Sequence, residues 1–130
     1  MSAYRTAKLD EITAEQWPYW APVRHHFGIT TFGVNAWRGG NGDRVITPHN
    51  HEEDGEPELY VVISGAAKFT IAGEDVEASA VEFIWIDDAK AERVAYATAD
   101  DTVVLSIGAG AHGSGYEHSG WDTKYLEASE

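Results

Sequence analysis

The feature that most constrains this chain is its rhythm of short β-type runs, beginning at Gly28 and broken at close intervals by Gly, Asp and Asn. Residues 29–38 place Phe32, Val34 and Ala36 on one face, and the Gly39-Gly40-Asn41-Gly42-Asp43 stretch makes a flexible turn. Further runs cover residues 44–49, 58–64, 68–71, 76–78, 81–86, 93–97 and 102–107, with 72–75 as a hairpin loop. Evenly spaced short strands with turn signals between them predict an all-β sandwich or barrel.

The chain has 130 residues, enough to close one core with little left over. Residues 1–27 read as an N-terminal arm that packs on the barrel or on a partner subunit. In it Thr13-Ala-Glu-Gln16 has capping-box spacing, and Pro18 limits any helix there to one or two turns. Residues 28–108 form the barrel, and residues 109–130 an irregular tail. His112 and His118 lie in that tail as secondary candidates for an acid or base at the barrel mouth.

Two runs break the alternation expected of a strand with solvent on one side. Residues 59–63 and 81–86, Glu82 excepted, are apolar on both faces, so something must cover the outer face too. The cover is either the arm, through Trp17, Tyr19 and Trp20, or a second subunit, and we expect a homodimer.

Composition narrows the chemistry. There is no cysteine, which removes disulfides, thiolate ligands and cysteine nucleophiles together and fits a cytoplasmic protein. A formal charge of −13 disfavours nucleic acid and anionic membranes as partners and makes any cation site easier to fill. No run approaches the roughly 18 apolar residues that a membrane helix needs, and the start of the chain lacks the pattern of a signal peptide.

The chemistry concentrates in Pro48-His49-Asn50-His51 and the segment opening at Glu58. Alternate residues of a strand share a face, so His49 and His51 point the same way. The acidic stretch 52–57 is long enough to turn the chain back, which lets Glu58 start the next strand beside both imidazoles. Two neutral imidazoles and a carboxylate form a facial set for a divalent transition metal: Fe, Mn, Ni, Cu or Zn. Glu56 is the rival to Glu58, which is preferred because it alternates with Tyr60 and Val62. Ser-His-Asp arrangements, phosphate loops and dinucleotide fingerprints are absent.

These residues resemble the first motif of the cupin superfamily, Gly-(x)5-His-x-His-(x)3–4-Glu-(x)6-Gly, at Gly42, His49, His51, Glu58 and Gly65. Six residues separate Gly42 from His49 and six separate His51 from Glu58, so both of those spacings are longer than the motif's. The resemblance implies a double-stranded β-helix, a jelly-roll-like barrel with a metal at its mouth, commonly as a dimer. It also implies a fourth ligand, usually His, from a second motif. By register that position falls on Glu92 or Arg93. Glu92 would complete a two-His, two-carboxylate metal set. Arg93 would place a fixed cation in the pocket, which Tyr60 and Trp85 are also expected to line.

Cupins span dioxygenases, isomerases, lyases, cyclases and binding modules, so the fold alone selects no reaction. The expectation is a metal-dependent protein acting on a small oxygen-bearing metabolite; the alternative is a non-catalytic small-molecule-binding module.

Overall fold

The computed structural model describes residues 3–53 and 55–109. In chain order these form α1 (Leu9–Ile12), β1 (Trp20–Ala21), α2 (Val23–Phe27), β2 (Phe32–Gly39), β3 (Arg44–His49), β4 (Glu58–Ser64), β5 (Ala66–Ile71), β6 (Glu74–Ser79), β7 (Glu82–Ile86), β8 (Arg93–Ala97) and β9 (Thr102–Ala109). One antiparallel sheet runs β1-β2-β9-β4-β7 and the other β3-β8-β5-β6. From β2 onward the chain swings repeatedly between the two sheets. Their inner faces share one core, with Trp37, Tyr60, Val62 and Val104 from the first and Val45, Ile46, Phe69 and Ala95 from the second. This is the expected all-β double-stranded β-helix.

The strand rhythm reappears with small shifts. Runs 44–49, 58–64 and 93–97 match β3, β4 and β8 end to end. The hairpin between β5 and β6 is tighter than expected, because Ile71 already pairs with Glu74. Ala72 (φ 51°) and Gly73 (φ 81°) make the whole turn, in the left-handed backbone that two-residue hairpins favour.

The arm differs more. Its first helix precedes Thr13 instead of starting there: Thr13 is the C-terminal cap of α1, and its hydroxyl donates to the Leu9 carbonyl. β1 joins the sheet, with Trp20 opposite Trp37, and these two rings stack at 6.2 Å. Trp20 is therefore core, and the arm extends the barrel rather than capping β4 and β7 from outside. Residues 110–130, with His112 and His118, lie outside the described residues.

Gly65 has a packing reason. Its φ is +71°, and an added Cβ would sit 2.3 Å from Thr102 Oγ1. That hydroxyl accepts from the Ala66 amide and donates to the Ala99 carbonyl, which fixes the turn out of β4. Any side chain at position 65 would push β4 and β9 apart.

Candidate metal centre

β3 ends on His49, and His51 follows two residues later. The His51 amide donates to the Ala89 carbonyl and its own carbonyl accepts from the Gly55 amide, which pins the backbone beside the mouth. β4 opens with Glu58, and Tyr60 follows on the same inner face. β8 opens with Arg93, directly opposite His49 in the strand register.

The His49 Nδ1 donates to the Thr47 carbonyl at 2.7 Å, since a carbonyl only accepts. That fixes the tautomer and leaves the Nε2 lone pair facing the cavity. Glu58 Oε1 lies 3.6 Å from His49 Nε2 and 3.2 Å from His51 Nε2, with the two imidazole rings nearly perpendicular. One donor atom from each of the three residues falls within a 4.8 Å group.

Two further groups hold the carboxylate. Tyr60 donates its hydroxyl to Glu58 Oε1 at 2.5 Å, and Arg93 Nη1 donates to the same oxygen at 3.0 Å. Arg93 is 0% exposed, and its Nε and Nη2 both donate to the Ala91 carbonyl. Burial alone would raise the Glu58 pKa. Hydrogen bonds from His51 and Tyr60, together with the charge of His51, outweigh burial and hold this carboxyl well below the usual range. The guanidinium on the same oxygen favours the same ionised form. Tyr60 moves the opposite way: burial, then the negative charge of Glu58 and the bond to it, keep its hydroxyl protonated.

These side chains line one end of a cavity of about 190 Å³, whose walls include Asn35, Trp37, Ile46, Thr47 and Ser106. A wider groove of about 540 Å³ shares none of these residues and gathers no ligating cluster. The smaller cavity is therefore the one onto which the candidate ligand cluster opens.

His49, His51, Glu58 and Tyr60 come together as the spacing predicts. Three other expectations need correction. Glu92 is exposed, because neighbouring strand residues face opposite ways and Arg93 takes the inward position. Arg93 itself lies behind Glu58 and does not line the cavity. Trp85 is 58% exposed, since it pairs with Leu59 on the outer face while Ile84 pairs with Tyr60 inside. Asn35, Thr47 and Ser106 went unnoticed in the sequence. The signal for Asn35 was present: the face of residues 29–38 opposite Phe32, Val34 and Ala36 carries Asn35 and Trp37.

The donor set fits a divalent ion. Donors bound about 2.1 Å from one ion stand about 3 Å apart at neighbouring vertices. The 3.2 and 3.6 Å separations of Glu58 Oε1 from the two imidazoles are near that value, and the set as a whole, spanning 4.8 Å, would draw together around an ion. The Thr47 carbonyl behind His49 is the kind of partner that orients a ligating imidazole.

The fold is the double-stranded β-helix shared by solved cupin proteins. A cupin protein from Bacteroides fragilis superposes with a TM-score of 0.64 at 22% identity, covering 92% of this chain and 93% of that one. An uncharacterised conserved protein with a double-stranded β-helix domain from Klebsiella pneumoniae gives 0.66 at 17% identity, covering 88% and 99%. A cupin-superfamily sugar phosphate isomerase from Silicibacter pomeroyi gives 0.61 at 16% identity, covering 81% and 75%. No family model matches the sequence, and neither does any curated protein.

Proposed function

We propose that this protein is a metal-dependent cupin enzyme acting on a small oxygen-bearing metabolite. The observation that carries the reading is the convergence of His49 Nε2, His51 Nε2 and Glu58 on one end of a closed-in cavity, with the His49 tautomer already set. His49, His51 and Glu58 would hold the ion, while Tyr60 and Arg93 keep the carboxylate ionised and aimed. The ion would act as a Lewis acid on a carbonyl, enol or carboxylate oxygen, or as an oxygen activator if it is iron. The solved structures this chain resembles include a cupin-superfamily sugar phosphate isomerase, so isomerase-type chemistry stands beside the dioxygenase, lyase and cyclase options.

A second reading, a binding module without turnover, is supported by the crowding on Glu58 Oε1, where Tyr60 and Arg93 already donate. Titrating the metal-stripped protein with Mn, Fe, Ni, Cu and Zn separates these readings from a metal-free barrel. The expected result is one ion per chain, lost in His49→Ala/His51→Ala and kept in Glu92→Gln. Binding that survives the double variant, or none at all, defeats the metal reading.

The outer face of the five-stranded sheet supports a homodimer. Phe32, Ile63, Val81, Phe83 and Trp85 are all exposed there, and together they offer on the order of 500 Å² of apolar surface, judged from ring areas of 150–250 Å². That is most of the ~800 Å² each partner contributes to a standard interface. Trp20 is committed to the core, and among the described residues the arm leaves these five side chains exposed. A second copy presenting the same face is the occupant we propose. No helix among the described residues is long and apolar enough to cross a membrane.

A further inference from the structure

The cavity has a second polar wall that the metal reading does not use. Asn35, Ser106 and Tyr60 lie in one row across β2, β9 and β4, with Ser106 opposite both Asn35 and Tyr60. Neighbouring strands stand about 4.8 Å apart, so the Asn35 backbone is roughly 10 Å from that of Tyr60, on the far side of the cavity from the triad. Asn35 lines the cavity, and its side-chain amide makes no hydrogen bond with any described residue. The Ser106 hydroxyl accepts from the Trp37 indole N–H at 2.9 Å, which leaves its own proton free to donate. Thr47 adds a third polar side chain to the lining.

Asn35 is part-buried on an inner strand face, and its amide is open to a partner in the cavity, water or a ligand. The charge pattern says what the other end of that partner is. Arg93 cancels Glu58, so a divalent ion held there keeps both of its positive charges, in a chain whose net charge is −13. Such a centre attracts an anionic or chelating oxygen head. The volume limits the rest: 190 Å³ is about six waters' worth, below the range of drug-sized pockets.

We infer that Asn35, with Ser106, reads the hydroxyl tail of a small hydroxy acid whose carboxylate head sits at the triad. This inference rests on the metal reading. Asn35 is the specificity residue: its amide both donates and accepts, as a hydroxyl requires.

The test uses two four-carbon acids with the same 2-hydroxycarboxylate head, erythronate and 2-hydroxybutyrate, which differ in the hydroxyls of the tail. Each is titrated into protein loaded with the ion it binds most tightly. Erythronate is expected to bind about tenfold more tightly, as one or two hydrogen bonds provide. In Asn35→Leu, and in the smaller variant Asn35→Ser, that preference is expected to shrink to within about twofold, with ion affinity unchanged; Ser106→Ala should reduce it less. Equal affinity of the two acids for the wild type overturns the inference and leaves the metal reading intact, as does a preference that survives Asn35→Leu. Failure of the wild type to bind any ion overturns both.

Discussion

The two faces of β4 invert the usual arrangement of a barrel strand. Inward it presents Glu58 and Tyr60, an ionised carboxylate and a phenol tied together, with Val62 below them in the core. Outward it presents Leu59, Val61 and Ile63, flanked by Trp85 and Phe83 from β7. The other sheet behaves conventionally: Ala67 and Phe69 of β5 are fully buried, while Lys68 is exposed between them. The inner polar groups are tied to one another, to His51 and to Arg93, whereas the outer apolar side chains are left exposed. Under the function proposed above, an ion would join the first set and a second copy would cover the other.

Breaking the outer partnership should give the largest effect. Phe83→Glu/Trp85→Glu is expected to weaken the dimer more than a thousandfold, about 4 kcal/mol for two central rings, while the chain stays folded. Lys68→Glu, a charge reversal on the conventional sheet, should leave the mass unchanged. Sedimentation velocity reads both. A wild type that is already monomeric removes the outer half of the comparison.

On the inner face, Arg93→Met leaves a largely buried carboxylate without its cation. Urea unfolding should show a loss of about 3 kcal/mol, much of it recovered in Arg93→Met/Glu58→Gln, where the charge goes too. Tyr60→Phe removes one hydrogen bond to a charged acceptor and should cost about 1.5 kcal/mol in the same assay.

The smallest effect concerns pH. Glu58 titrates below its unfolded value of 4.5, so its contribution to stability is complete above that pH and fades as pH falls beneath it. Melting temperature should therefore drop less steeply between pH 5 and pH 3 in Glu58→Gln than in the wild type. Equal slopes would mean that the carboxylate gains nothing from its three donors.

Much of this was legible in the residues themselves. Strand alternation and turn chemistry are local, and they located β3, β4 and β8 correctly. The His49–His51–Glu58 grouping followed because it needs only one loop and two neighbouring strands. What failed was phase. Whether Glu92 or Arg93 faces inward depends on how β8 registers against β3, where the ladder shifts twice between Arg44 and His49. Trp85 misled for a related reason: in β7 both faces are apolar, so alternation does not mark which one is inside. The arm was misjudged because β1 is two residues long, and its place comes from Trp20 stacking on a ring seventeen positions away.

The most direct test of the central claim is elemental analysis of the untagged protein as purified, beside His49→Ala/His51→Ala, by plasma mass spectrometry. The account predicts one transition metal at close to one equivalent per chain in the wild type, and a background level in the variant of unchanged melting temperature after metal stripping. Background metal in both proteins, with none taken up on adding Mn, Fe, Ni, Cu or Zn, would contradict it.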